Sequence, residues 1–419
     1  MIKIFLLCSA TTFISFLFVL LFPAVPVIEN KIFLFLSNLA FLSVVFSFSV
    51  PSYFFMKCTA RSKFSSVNCG SGVIAYPSVK APIYLGWLSL IGLFFIAFDR
   101  VYLRGIDYTQ ELRAARYEWL DSVGGGGIGI LGNLLIPLAY ISVFYIVRNY
   151  EYIGNKATSF LILSSFFSIL GHAFLNGGRS NILLLFLVVY ISFVTKVNIF
   201  SRVSKKALLI SSIISIISFY YVSEIVASSA TIGDVNVQEL LRLGVLEMYA
   251  VPNDYLFDAE LPSYLSVFLY CVAYLFHGQW TAQVVYDLQV KEGFHSIVST
   301  PTVLLDKLGL IDLGLTERAF SDTGVFVALP GSLYYDFGWF GFFLYSAVLG
   351  FIFGFSVYWV KSGCYLSWFK AVLIFLSFSI VILSPILPAY GFSYFSFIIF
   401  SFFLTFILNK LFMRRNIYF

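Results

Sequence analysis

Runs of about twenty mostly apolar residues recur from one end of this chain to the other, and each can cross roughly 30 Å of hydrocarbon as a helix. They occupy 4–21, 32–55, 81–98, 128–147, 157–175, 181–195, 207–222, 333–360, 367–386 and 391–409. Lipid offers no partner for an open N–H or C=O, so such runs are confined to helices. The expected fold class is all-α: a polytopic integral membrane protein with about 10–11 transmembrane helices in one membrane domain, 1–419. The stretch 263–276 is too short to cross alone and reads as a re-entrant or interfacial helix. Composition closes the alternatives. Of 419 residues, 60% are hydrophobic and 11% charged, against about 25% charged in soluble domains. Soluble cores stop growing near 250–300 residues, which excludes a soluble enzyme, and a disordered or fibrous chain would not be this apolar. The first run exceeds a usual signal-peptide core, and Phe22-Pro23-Ala24-Val25-Pro26 is a poor cleavage site, so an uncleaved first span is expected.

Charge sets sidedness. With both termini cytoplasmic, the inner segments hold 16 of the 26 basic residues and only one acid, Glu151. That Lys/Arg bias orients the chain. Two long segments then lie outside, 99–127 and 223–332, the second containing the short helix. Inner loops are short and basic, with no room for a nucleotide-binding domain, so chemistry is expected on the outer face, without nucleotide. The net charge of +5 arises from this asymmetry and does not signal nucleic acid. Cys8 lies in a span, Cys58, Cys69 and Cys364 fall inside, and only Cys271 falls outside. No outer disulfide within one chain and no zinc spacing are expected. The 50 Phe and 27 Tyr read as lipid-facing bulk and interfacial belts.

Gly124-Gly125-Gly126-Gly127 lacks the Lys-Ser/Thr of a phosphate loop and reads as a hinge or close helix entry. Asn176-Gly177-Gly178-Arg179-Ser180-Asn181 is a short outer turn in which two glycines permit a tight reversal. Arg179 then opens the next helix at the membrane surface. There it either snorkels to headgroups or grips a lipid-linked phosphate with its planar fork, an anion that a helix N-terminus also favours. Arg100, Arg104, Arg113 and Arg116 share a segment with Asp99, Asp107, Glu111, Glu118 and Asp121. Its pattern predicts a solvated amphipathic helix with local ion pairs.

The larger outer segment carries Arg242, Arg318, His277 and His295. A histidine there, or a carboxylate raised by burial, is the expected general base; no His pair has metal spacing, so no metal site is expected. His172, inside the fifth run, reads as a helix-packing residue. Asp336 stands at the outer edge of the eighth run, where a lone acid is costly and tends to be functional or paired. Arg318 and Arg179 are available partners, and a structural cap is the plainer alternative.

At Gly178-Arg179 opening a span, followed by a long outer loop and Tyr334-Tyr335-Asp336-Phe337-Gly338-Trp339-Phe340-Gly341 entering the next long span, the chain resembles the O-antigen polymerases. These are the oligosaccharide repeat-unit polymerases of bacterial surface polysaccharide assembly. The resemblance covers the whole topology. It implies a GT-C-like membrane glycosyltransferase fold in the bacterial inner membrane, with 99–127 and 223–332 periplasmic. The implied activity joins undecaprenyl-diphosphate-linked oligosaccharide units at the periplasmic face. Some members carry an arginine and a glycine separated by ten residues in two outer loops. Arg113 with Gly124 and Arg116 with Gly127 match this spacing, whereas Arg242 and Arg318 meet Asn253 and Leu329 at the matching distance.

The implied chemistry is an inverting, metal-independent glycosyl transfer without cofactor. Arg179, Arg318 and Arg242 bind the diphosphate and stabilise its departure, Arg113, Arg116 and Tyr335 complete the substrate contacts, His295 or His277 is the base, and Asp336 orients it. Implied partners are the lipid-linked oligosaccharide and the bilayer, with neither nucleotide nor nucleic acid. A polysaccharide chain-length regulator is compatible with this set. Two rival readings are an O-antigen ligase, which transfers the finished chain, and a flippase or transporter of the lipid-linked unit. Transporters tend to show internal repeats and broken or charged midplane helices, whereas here the charges gather outside the spans.

Overall fold

The computed structural model describes residues 1–22, 24–26, 31–64, 80–109, 112–121, 127–149, 155–178, 180–195, 205–247, 250–252, 261–288, 327–362, 368–389 and 392–412. Each apolar run coincides with helix: α1 (Ile2–Leu21), α2 (Lys31–Phe64), α3 (Lys80–Ala97), α5 (Gly127–Leu135) with α6 (Leu138–Asn149), α7 (Asn155–Asn176), α8 (Ser180–Thr195), α9 (Lys205–Ile232), α13 (Leu329–Lys361), α14 (Trp368–Leu383) and α15 (Ser393–Phe412). A π-helical turn, Phe98–Leu103, continues α3, and α4 (Leu112–Asp121), α10 (Val237–Glu247), α11 (Ser263–Phe276) and α12 (Gly278–Asp287) complete the helices among the described residues. Among the described residues six segments are long and apolar enough to cross a membrane: Ile2–Leu21, Leu34–Thr59, Ile83–Leu103, Gly127–Phe144, Lys156–Asn176 and Leu329–Lys361. Shorter apolar helices cover Ser180–Thr195, Phe369–Leu383 and Tyr394–Ile407. The protein is a nearly all-helical membrane protein.

Three details depart from the simplest reading of the sequence. The run at 128–147 is two helices, because Pro137 cannot donate to a helical hydrogen bond and breaks the ladder after Ile136. The run at 207–222 continues as helix to Ile232. Two Ala-Val-Pro tripeptides, β1 (Ala24–Pro26) and β2 (Ala250–Pro252), pair antiparallel with Val25 opposite Val251.

The described chain falls into two compact units. The first comprises Met1–Gly70, Val235–Ser362 and Leu376–Ser393. In it α2 lies along α13, with Phe41 on Phe342, Phe48 on Phe351 and Tyr53 on Tyr358. Gly350 and Gly354 let the backbones approach, as small residues do between membrane helices. A Cβ on Gly350 would lie 2.6 Å from the Val45 carbonyl, and one on Gly354 would overlap Ser52 Oγ and the Ser49 carbonyl. Helix α13 kinks at Gly338 (φ 62°, ψ −169°), a conformation glycine alone adopts readily. An apolar cluster of Val19, Phe22, Leu241, Val245, Val272 and Trp280 ties α10, α11 and α12 to α1.

The second unit comprises Ser71–Asp234, Gly363–Phe375 and Tyr394–Phe419. Here α3 packs on α5 and α7 through small residues. A Cβ on Gly92 would lie 3.0 Å from the Gly132 carbonyl, and one on Gly86 would lie 2.7 Å from Ser164 Oγ.

Candidate functional site

In the second unit α7 ends in a tight turn. Gly177 takes φ 54°; its N–H bonds the Phe174 carbonyl at 3.0 Å, and the Gly178 N–H bonds that of Ala173 at 3.2 Å. This pair of bonds is the glycine-capped helix end of the Schellman type, and it delivers the chain directly to Arg179 and α8. The sequence predicts the reversal. Arg179 itself lies outside the described residues.

Four side chains donate to carbonyls of this end. Arg100, in the π-helical turn, donates to Leu175, whose carbonyl also accepts from Tyr108 Oη at 2.8 Å. Arg116, on α4, donates to Gly177 at 3.2 Å. Tyr221, on α9, donates to Ala173 at 2.5 Å. Two of the four are guanidiniums at a helix C-terminus, where the backbone dipole favours cations. Arg100 is 2% exposed and lies 4.2 Å from the Trp119 ring centroid, so α4 is held against this end. Burial raises the Tyr108 hydroxyl above its ordinary pKa, and the Arg100 charge opposes that rise. Tyr108 therefore keeps its proton and remains a donor.

A third guanidinium stands beside these. Arg104 Nε donates to Asp99 Oδ2 at 3.0 Å, both side chains largely buried. Asp99 has room because residue 129 is glycine: a Cβ there would come within 2.6 Å of its carboxylate. The predicted amphipathic helix exists as α4, with Tyr117 and Glu118 exposed, but the charges around it are not all solvated. Asp99 and Arg100 are buried, and Arg116 reaches the α7 turn.

His172 proves more than a packing residue. It is 0% exposed, with Nε2 2.7 Å from Asn176 Nδ2 and Nδ1 3.0 Å from Asn181 Nδ2. A neutral imidazole has one N–H and one lone pair, so one of these amides must face it with its oxygen. Its ring packs 4.6 Å from that of Tyr394, whose hydroxyl donates to Asn133 Oδ1 at 3.1 Å. Tyr140 donates to the Asn181 carbonyl at 3.1 Å. The end of α7 and the start of α8, on either side of Arg179, are thus tied to α5, α6 and α15.

Of the other expected site residues, Arg318 and His295 lie outside the described residues, as do Gly124 and the side chain of Arg113. Arg242 is exposed on α10 in the first unit, 4.0 Å from Glu239. Tyr335 and Asp336 are buried in the first turns of α13, in the first unit, just before the Gly338 kink.

His277, between α11 and α12, is buried and its Nδ1 lies 2.8 Å from the Tyr274 carbonyl. Burial lowers its pKa from the ordinary 6.5 to about 4, against opposing backbone hydrogen bonds. At neutral pH it is an uncharged and weak base. Between these two values the unfolded chain binds a proton that the fold refuses. Stability is therefore full above pH 6.5 and falls as pH drops towards 4, by roughly 3 kcal/mol. His277→Gln should flatten this dependence. Thermal unfolding in detergent from pH 4 to 8 checks it, and equal pH slopes for both proteins would refute it.

Sequence reasoning missed the buried set of Asp99, Arg100, His172, Asn181 and Tyr394. The available signals were an Asp-Arg pair directly closing an apolar run and a histidine within one, since an ionisable group at membrane depth is costly. Set against known proteins, the chain matches no family model, and no curated protein or solved structure is similar to it.

Proposed function

We propose that this protein polymerises undecaprenyl-diphosphate-linked oligosaccharide units into O-antigen or a related surface polysaccharide, as a multi-pass enzyme of the bacterial inner membrane. One observation carries the reading: Arg100, Arg104 and Arg116 gather around the turn that leads into Arg179, where apolar helices end. Among the described acids of this segment Asp99 is buried and paired with Arg104, while Asp107 is half-buried and Glu118 lies on the exposed side of α4. A prenyl diphosphate would meet that rim with its tail in lipid and its charge among the arginines. Arg179 and Arg116 contact the diphosphate, while Arg100 holds the turn and Arg104 neutralises the buried Asp99 beside it.

A sugar already joined to diphosphate is activated, so no nucleotide is consumed. The acceptor hydroxyl attacks the anomeric carbon and forms the new C–O bond as the bond to the diphosphate oxygen breaks. Inversion follows from direct displacement. Guanidiniums stabilise the charge that builds on the leaving group, and a base takes the hydroxyl proton. His295 is the better candidate base than His277, which burial has made too weak.

Purified protein in proteoliposomes, given the lipid-linked unit without nucleotide, should yield laddered products. Arg179→Ala should cut their formation at least about tenfold, as expected for losing a charge-assisted contact of about 1.5–3 kcal/mol, with Arg179→Lys intermediate because a point charge replaces a fork. Normal ladders from Arg179→Ala would remove it from the site. No ladder from the unaltered protein would remove the function.

A further inference from the structure

Helix α12 carries a row of neutral polar and aromatic side chains that the proposed diphosphate chemistry does not use. Gln279, Gln283 and Tyr286 are spaced i, i+4 and i+7, on one helical face, and Trp280 stands beside them. Gln279 is 0% exposed and fully engaged: its Nε2 donates to the Pro385 carbonyl at 2.9 Å, and its Oε1 accepts from Asn38 Nδ2 at 3.1 Å. One turn on, the Gln283 amide is 1% exposed, and among the described residues neither its nitrogen nor its oxygen has a hydrogen-bond partner. The Trp280 indole N–H, 2% exposed, is in the same position. So is the hydroxyl of Thr12 on α1.

Leaving a buried polar group unmatched costs about 1–3 kcal/mol, and such groups ask for a specific explanation. The row also leads outwards. Tyr286, one turn beyond Gln283, stacks on Trp339 at 6.3 Å and 6°, and Tyr334 sits 4.9 Å from Trp339. Trp339 is 38% exposed. An open aromatic lip thus adjoins a sealed, unsatisfied amide.

We propose that this face of α12, with Trp339 and Tyr334 of α13 as its mouth, binds a neutral, hydroxyl-rich ring: a sugar of the oligosaccharide. The Gln283 amide offers one acceptor oxygen and two donor hydrogens, the complement of adjacent sugar hydroxyls, and Trp280 adds a donor. The aromatic faces supply apolar surface for the C–H face of a ring, in the usual manner of sites that are mostly apolar with a few placed polar groups. Neither Gly278–Asp287 nor Leu329–Trp339 contains Lys or Arg, so nothing on these segments matches an anion. The identification of the ring as a sugar rests on the function proposed above; the unmatched donors and acceptors do not.

The test uses the full chain in lauryldimethylamine oxide, a detergent without sugar. The probe is the free repeat-unit oligosaccharide, released from its lipid carrier by mild acid and so lacking both diphosphate and tail. Saturable binding, read by tryptophan fluorescence and calorimetry, is expected for the unaltered protein. Gln283→Leu should weaken it at least tenfold while leaving the unfolding midpoint equal or higher, because the variant buries no unmatched amide. Trp339→Leu, at an exposed position, should weaken binding several-fold and decides the matter if Gln283→Leu does not fold. Absence of binding to the unaltered protein overturns the proposal. Undiminished binding by the folded variants does so too, and a raised midpoint alongside would mark the amide as an ordinary water site. Free sugar that binds while the lipid-linked unit gives no ladder would instead reject the polymerase reading and leave this site standing.

Discussion

Arg100→Ala is expected to destabilise the protein by about 3 kcal/mol and to eliminate laddered product. The side chain is 2% exposed, donates to the Leu175 carbonyl, and lies against Trp119. A hydrogen bond from a charged group is worth about 1.5–3 kcal/mol. A desolvated cation–aromatic contact contributes roughly 2 more, and a buried cation at a helix C-terminus up to about 2. Against these stands the cost of burying the guanidinium, which truncation relieves, so the net loss is smaller than their sum. A unit of this size loses on the order of 2–4 °C of midpoint per kcal/mol. The loss of product has a separate origin. Without Arg100, α4 gives up its contact through Trp119, and the turn before Arg179 is less firmly held. Arg100→Lys should recover part of the stability but little product, since one ammonium cannot reproduce a planar fork. A midpoint within about a degree of the unaltered protein would show that Arg100 does not hold this turn.

Gly354→Ala should be as damaging, for a reason unconnected with charge. The added methyl would collide with Ser52 Oγ and the Ser49 carbonyl where α2 crosses α13. The second obstacle is backbone and cannot rotate away, so the helices must part. Overpacking of this kind costs about 1–3 kcal/mol or somewhat more, and the upper end applies here. Ser52→Gly in the same chain should restore only a portion, because the carbonyl remains. Gly127→Ala is the control: among the described residues nothing lies within 4 Å of its added Cβ, and alanine is the better helix former, so stability should hold or rise. Comparing the three unfolding midpoints in one detergent tests the contact, and Gly354→Ala matching Gly127→Ala would dismiss it.

The candidate site was only partly visible in advance, and its residues explain why. Arg179 is legible because it follows two glycines and opens an apolar run, all local features. The spacing of Arg116 to Gly127 is visible in the sequence, but its partner, the Gly177 carbonyl, is 61 positions away. His172 looked like filler in a helix because nothing nearby in the chain announces Tyr394. Asp99 and Arg100 fell between a span and a loop by hydropathy, and solvation was the natural assumption for two adjacent charges. Gln283 sits in a segment with no apolar run of its own, so its burial was invisible.

What belonged to the sequence alone was whatever depends on short stretches of chain. Apolar runs of sufficient length must be helical in lipid, Lys/Arg counting orients them as a matter of expectation, and paired glycines permit the turn at 177–178. What the tertiary structure decided is which distant groups share a low-dielectric interior: Arg100 on the Leu175 carbonyl, His172 between Asn176 and Asn181, Asp99 in the space left by Gly129, and an amide at 283 with no partner among the described residues. Hydropathy averages over a window, while a hydrogen bond between remote helices depends on their rotation and crossing. Those are fixed by close packing at glycines such as 92, 132, 350 and 354, and no window along the chain can report them.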